Sequence, residues 1–343
     1  MTRLKHPLPL IDKLGRPLRD LRISVTDRCN FRCTYCMPRE MFGAEYAFLP
    51  HKEILSFEEI TLIAKSFVDC GVQKIRLTGG EPLLRRDIDR LVSQLAEIPH
   101  IDLSLTTNGS LLGKRARALK DAGLQRITVS LDALDAPTFK RMNDADYPVS
   151  RVLEGIEAAD TVGLGPIKVN AVIQQGVNEH AILELAQHFR GTPHIVRFIE
   201  YMDVGSTNGW NLDQVVPSKK IIDRISAQFP LESLQPLYQG EVAQRWRYLD
   251  GQGEVGVISS VTQAFCSACS RLRLSTDGHL FTCLFAQKGH DMRTLLRGTP
   301  SISEGDLRAW IEKKWGARDD RYSEIRTTET AKQQKIEMSY IGG

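Results

Sequence analysis

The chain has 343 residues, of which 42% are apolar and 25% charged. This is ordinary globular usage, long enough for two domains or for one barrel-sized domain with an appendage, and it excludes disorder, collagen-like repeats and coiled coil as whole-chain descriptions. The net charge of +3 is too small to argue for a nucleic-acid partner.

Strand patterns fall at Leu21–Val25, Lys74–Leu77, Ile101–Leu105, Arg126–Leu131, Ile167–Ile173 and Ile195–Ile199. Each is short, rich in Ile, Val and Leu, and bounded by polar residues, Gly or Pro. Helical apolar spacing marks Ser56–Cys70, Arg86–Glu97, Lys114–Ala122, Val152–Val162 and Glu179–Phe189, with Ser56 and Glu59 at capping-box spacing. Repeated strand–helix units predict a parallel sheet, open or closed into a barrel. Such sheets carry their sites at the carboxyl ends of the strands. There the sequence reads Thr26-Asp27-Arg28-Cys29, Thr78-Gly79-Gly80-Glu81-Pro82, Thr106-Thr107-Asn108-Gly109 and Ser130-Leu131-Asp132.

The pattern changes near Val216. Ser218 reads as the cap of a helix running to Phe229, and Arg245–Leu249 and Glu254–Ser260 read as strands. Leu272–Ser275 and His279–Cys283 flank Asp277-Gly278, a hairpin signal. Helical stretches follow at Met292–Leu296 and Asp306–Trp315, and Thr327–Ile341 is polar and weakly patterned. No stretch approaches the ~18 consecutive apolar residues of a membrane span. Met1 to Gly15 carries no secretory apolar region, so a reducing, cytoplasmic setting is expected.

In that setting the seven cysteines are not a disulfide framework. Cys70 ends an apolar helix and reads as a small hydrophobe. The other six form two sets of three: Cys29, Cys33 and Cys36 at C-x3-C-x2-C, and Cys266, Cys269 and Cys283 at C-x2-C-x13-C. Thiolates select zinc, copper(I) or iron–sulfur clusters. Structural zinc takes four protein ligands, so zinc would need histidine to complete each set, and only His279 lies near the second. The alternative is two cubane clusters, each with three cysteine ligands and one open iron free to bind a small molecule.

The run CNFRCTYC, followed by LTGGEPLLRRD, LTTNG, SLDA, RFIEYMDVG, FCSACSRLRLSTDG and a terminal Gly-Gly, resembles the GTP 3′,8-cyclase family of radical S-adenosylmethionine (SAM) enzymes in molybdenum cofactor biosynthesis. The resemblance runs from about Asp12 to Gly343. It implies an α/β fold: an incomplete (β/α)6 TIM-like barrel over residues 1–215, with its N-terminal segment, and a C-terminal α+β extension over 216–343 that carries a second iron–sulfur cluster and closes the barrel mouth. It implies two [4Fe-4S] clusters, the first on Cys29, Cys33 and Cys36 and the second on Cys266, Cys269 and Cys283, with SAM on the first and guanine on the second. It places Tyr35, Gly80, Ser130 and Met202 at SAM, and Arg22, Arg76, Thr106, Lys168 and the Arg271-Leu272-Arg273 segment at GTP. Gly342 and Gly343 would reach into the site. The implied reaction removes the hydrogen at ribose C3′ with a 5′-deoxyadenosyl radical and joins C3′ to guanine C8, giving (8S)-3′,8-cyclo-7,8-dihydroguanosine 5′-triphosphate after reduction. The implied partners are a flavodoxin- or ferredoxin-like electron donor and a downstream cyclic pyranopterin monophosphate synthase, and a homodimer is compatible with the resemblance.

The residues themselves support an anionic substrate. Arg76 lies between Ile75 and Leu77, Lys168 between Ile167 and Val169, and Arg271 and Arg273 share one strand face. Unpaired charges in such settings are expensive. Arg22, Lys74 and Arg197 are further candidates. A radical SAM peptide-maturing enzyme would share the barrel motifs, and an iron–sulfur carrier or zinc protein would need no GGEP segment.

Overall fold

The computed structural model describes residues 7–300, 302–331 and 333–342. Strands and helices alternate from the first strand: β1 (Asp20–Ser24), α1 (Phe57–Asp69), β2 (Lys74–Thr78), α2 (Ile88–Ala96), β3 (Asp102–Thr107), α3 (Leu112–Asp121) and β4 (Arg126–Ser130). They continue with α4 (Ala136–Asn143), α5 (Val149–Thr161), β5 (Lys168–Ile173), α6 (Ala181–Phe189) and β6 (Ile195–Glu200). The last third adds α7 (Ser218–Gln228), β7 (Leu231–Leu234), β8 (Gln244–Tyr248), β9 (Glu254–Ile258), β10 (Arg271–Leu274), β11 (His279–Phe281) and β12 (His290–Asp291). Short α8 (Arg293–Leu296), α9 (Glu304–Gly316), α10 (Thr328–Ala331) and α11 (Met338–Ile341) complete it.

Among the described residues the strands form one sheet in the order β12-β11-β10-β1-β2-β3-β4-β5-β6-β9-β8-β7. From β10 to β9 every neighbouring pair is parallel. The sheet is not closed, and antiparallel strands finish both ends.

Parallel strands buried on both faces read as continuous apolar runs, but these alternate. Leu21, Ile23, Ile75, Leu77, Leu103, Leu105, Val129, Val169 and Phe198 are fully buried in the core. Their neighbours form a polar row across the ladder: Arg273 beside Arg22, Arg22 beside Arg76, Thr128 beside Lys168, and Asn170 beside Arg197. One face therefore supplies the core and the other lines a cavity.

Several expectations are corrected here. Ser218 is the first helical residue of α7, not its cap; its N–H goes to Glu200 Oε1 at 2.7 Å. The Asp277-Gly278 hairpin forms, with Leu274 opposite Leu280, but its first strand also docks parallel to β1. Helix α4, capped by Asp135 Oδ1 on the Thr138 N–H at 2.9 Å, and strands β7 and β12 were not legible as elements. The capping box on Ser56 and Glu59 is present, and Cys70 is buried at the end of α1.

Candidate active site

A cavity of about 570 Å³ opens along the polar face of the sheet, and all six cysteines of the two sets line it. That is the usual size of a small-molecule site.

Cys29, Cys33 and Cys36 sit in the loop after β1. The loop is pinned from two sides. Gly80 N–H donates to the Thr26 carbonyl at 2.7 Å, and Glu81 N–H to the Arg28 carbonyl at 2.8 Å. A Cβ on Gly80 would collide with the Arg28 carbonyl, so glycine is required for the two loops to meet. Glu81 is fully buried and accepts from Leu83 N (3.0 Å), Thr107 Oγ1 (2.7 Å) and Asn108 N (2.7 Å), joining the loops after β2 and β3. Burial pushes its carboxyl up to about 7 against those bonds.

The Phe31 N–H reaches Cys29 Sγ at 3.4 Å, and Asn108 Nδ2 approaches it at 3.8 Å. Burial, and after it Glu81, pushes the Cys29 thiol up to about 11. Burial and mutual repulsion hold Cys33 and Cys36 well above the thiol range. Three half-buried thiols lining one cavity, disfavouring one another's ionisation, suit a cationic group that takes all three, as an iron–sulfur cluster does. Tyr35 Oη donates to Asp132 Oδ2 at 2.8 Å, and Val172 N–H to Asp132 Oδ1 at 2.8 Å. Burial pushes the Asp132 carboxyl up to about 6.

The second set lies across the cavity, Cys266 and Cys269 before β10 and Cys283 after β11. Arg271 Nη2 and Arg318 Nη2 donate to Cys269 Sγ at 3.4 and 3.3 Å, and Arg318 Nη1 donates to the Cys269 carbonyl at 2.7 Å. Burial alone would raise the Cys269 thiol; Arg271 and Arg318 outweigh it and bring it down to about 6. Burial pushes Cys283 up to about 12, and the Phe285 N–H reaches its sulfur at 3.5 Å. Among the described residues no three His, Cys, Asp or Glu side chains converge on the position of a single metal ion. Each donor set is three thiols, with the Phe31 N–H on Cys29 in the first and two guanidinium groups on Cys269 and the Phe285 N–H on Cys283 in the second, which fits a cluster.

Between the two sets lies the cationic face. Burial, then Arg197, Arg126, Arg76 and Lys74, bring Lys168 down to about 7. Burial, with Arg76 next for Arg197 and Arg271 next for Arg273, lowers each to about 9. Burial and then Arg273, Arg76 and Arg271 hold Arg22 well below its usual range. Arg76 Nη1 donates to Thr106 and Thr128 hydroxyls, each at 3.2 Å, and Arg197 Nε to Asn170 Oδ1 at 2.9 Å. Neutral oxygens, not carboxylates, receive these bonds. The face is built to gain from a polyanion.

Arg22, Tyr35, Arg76, Gly80, Thr106, Ser130, Lys168, Met202, Arg271 and Arg273 all line the cavity. Leu272 does not: strand alternation turns it to the core, where it is buried. The Gly342 carbonyl accepts from Arg273 Nη1, and Gly343 lies outside the described residues. Sequence reasoning named Asp132 only as a strand-end residue and missed Asn170 and Arg318. Asp132 had a signal, the acid after a strand end; the others looked like any surface polar residue.

Residues 23–189 match the Radical SAM superfamily, and residues 194–324 match Molybdenum Cofactor Synthesis C. GTP 3′,8-cyclase of Acidothermus cellulolyticus is 55% identical, covering 98% of this chain and 99% of that one. The chain belongs to the GTP 3′,8-cyclase family. GTP 3′,8-cyclase of Xanthomonas axonopodis pv. citri is 50% identical over 98% of this chain and 99% of its own. Streptococcus suis SuiB bound to S-adenosylmethionine shares the fold, with TM-score 0.60 and 17% identity over 86% of this chain and 68% of that one. Family membership makes the chain a radical SAM enzyme of molybdenum cofactor biosynthesis, using SAM and iron–sulfur chemistry. Among the described residues no helix is long and apolar enough to cross a membrane.

Proposed function

We propose that the cavity holds SAM and GTP together between two iron–sulfur clusters, within an incomplete (β/α)6 barrel of residues 1–215 covered at its mouth by residues 216–343. Cys29, Cys33 and Cys36 would hold the first cluster, and Cys266, Cys269 and Cys283 the second. With SAM bound, the first cluster would supply the electron for reductive cleavage; the resulting radical would take the hydrogen at ribose C3′, C3′ would bond to guanine C8, and uptake of one further electron and a proton would give the closed-shell product.

The chain's own residues do the positioning. Gly80 and the loop it carries would meet the methionine end of SAM through the backbone. Ser130 would bond the ribose, and Tyr35, oriented by Asp132 at 2.8 Å, and Met202 would flank the adenine. Arg22, Arg76, Lys168, Arg271 and Arg273, with Thr106, would take the triphosphate, and the second cluster the base. Anchoring GTP at both ends fixes C3′ beside the radical and near C8. A flavodoxin- or ferredoxin-like donor would supply the electron, and a cyclic pyranopterin monophosphate synthase would take the product.

The observation that carries the reading is the set of cavity-lining cations on one sheet face, buried Arg273 and half-buried Arg22, Arg76 and Lys168, between two cysteine triads in one cavity. The test is 5′-deoxyadenosine formation by anaerobically reconstituted enzyme with SAM and dithionite, with and without GTP. GTP-dependent formation with a 3′,8-cyclised product is expected. Formation indifferent to GTP would discard the nucleotide and favour peptide maturation.

A further inference from the structure

The last stretch of chain is held by a buried charge cluster outside both cysteine sets. Asp203 and Lys335 are 2% and 4% exposed. Lys335 Nζ donates to Asp203 Oδ2 (3.0 Å), Tyr322 Oη (3.1 Å) and the Ala331 carbonyl (2.9 Å). Arg326 Nε donates to Asp203 Oδ1 at 2.9 Å, and Tyr322 Oη donates to Asp203 Oδ2. Arg326 Nη1 also reaches the Ser260 carbonyl at 2.9 Å.

Further ties lie alongside. Lys335 N–H donates to Ser206 Oγ at 2.8 Å. Glu337 accepts from the Ser206 N–H at 2.9 Å and from Thr207 Oγ1 at 3.0 Å. Its carboxylate lies directly over Gly205, where φ is +66° and a Cβ would collide with it. Segment 335–337 is thus fastened to segment 203–207. That loop begins beside Met202, which lines the cavity. Beyond Glu337, α11 carries Ile341 into full burial and brings the Gly342 carbonyl to Arg273 Nη1.

A lysine in a polar tail is normally solvated. Burying it with an aspartate gives little net stability, because desolvation offsets the attraction; the best-attested gain from such a pair is a fixed register. One register brings Lys335 to Asp203, and a slip of one residue would leave two buried charges apart.

We propose that Asp203 and Lys335 form a latch that sets the register of the C-terminal segment and thereby places the Gly342 carbonyl on Arg273. Both are positioning residues, and the functional consequence rests on the reading of Arg273 as part of the GTP site. By holding the end of the chain, the latch fixes the Arg273 guanidinium; through Met202 it also ties that end to the loop on the SAM side of the cavity.

The test compares Lys335→Met, Lys335→Arg, a chain lacking Gly342 and Gly343, and Lys335→Met combined with that deletion, all as reconstituted holoenzyme. Lys335→Met leaves Asp203 paired with Arg326, so no lone buried carboxylate is created. Amide hydrogen exchange is expected to speed up in 336–342 and 203–207 for Lys335→Met and to stay slow for Lys335→Arg. GTP-dependent turnover is expected to fall on the order of tenfold to a hundredfold in Lys335→Met. The combined variant should be no worse than the deletion alone. A tail that stays protected in Lys335→Met, or losses that multiply in the combined variant, would overturn the latch. If Lys335→Met does not fold, Glu337→Ala removes the neighbouring tie and should raise exchange in the same two segments; unchanged exchange there overturns the proposal. Exchange is read without turnover, so a parent enzyme indifferent to GTP would overturn the functional reading while the latch is still tested.

Discussion

Around the first cysteine set the charged neighbours are mostly carboxyl groups, whereas around the second they are mostly guanidinium groups. Glu81 lies near Cys29, Asp132 near Cys33 and Glu337 near Cys36, with Arg32 the exception. Arg271 and Arg318 press on Cys269, with Asp320 near Cys283 the exception. Three cysteines line each side of the cavity, but their charged neighbours are mostly of opposite sign. An anionic surrounding disfavours added negative charge and suits a centre that gives an electron away. A cationic surrounding favours retained charge and suits a centre beside an anionic substrate.

The sharpest way to break this comparison is to remove one set at a time. Cys33→Ala should reduce 5′-deoxyadenosine formation to background, while Cys269→Ala should keep SAM cleavage and lose its dependence on GTP. Equal loss of SAM cleavage in both would erase the functional difference between the sets.

A smaller effect is expected from the groups that make the fields differ. Arg318→Met removes the two hydrogen bonds that Arg318 makes to Cys269, to its sulfur and to its carbonyl, and leaves the one from Arg271. Iron retention at the second set should weaken about tenfold, with the first set's iron unchanged. Iron and sulfide content, with electron paramagnetic resonance of each set, reads this directly. Loss spread evenly over both sets would argue against a local role.

The smallest effect belongs to the face between them. Lys168 is held down to about 7 in the free chain. Above that pH it is neutral until a triphosphate restores its charge, so binding takes up a proton and affinity falls as pH rises. Below it, Lys168 is already charged and the dependence vanishes. From pH 7 to 8 the loss should be about fivefold. Calorimetry in two buffers of different ionisation enthalpy checks the uptake, which Lys168→Met should abolish.

Much of this site was readable because it obeys short periods. Cys29, Cys33 and Cys36 lie within one loop, period-two alternation puts Arg271 and Arg273 on one strand face, and the apolar neighbours of Arg76 and Lys168 mark each as a charge within a strand. The same alternation should have excluded the Leu272 side chain, which the family match had carried along. Parallel pairing leaves no turn signal, so nothing local announced that β10 docks beside β1. Arg318 and Lys335 look like solvated surface charges in sequence, and only long-range folding buries them. Ser218 misled because its hydroxyl type suits a cap, while Glu200 from another element meets the helix end.

The strand order has a consequence for how the chain is made. Asp20 of β1 is flanked by Lys74 on one side and Arg271 on the other, and β6 takes β9 as its outer neighbour. A nascent chain that has left the ribosome only through β6 therefore carries two bare parallel edges, one at each end of its sheet. Such edges invite pairing with other chains. Both are covered only when the last third is synthesised, so a translation product stopped near residue 215 should collect in aggregates rather than behave as a smaller enzyme.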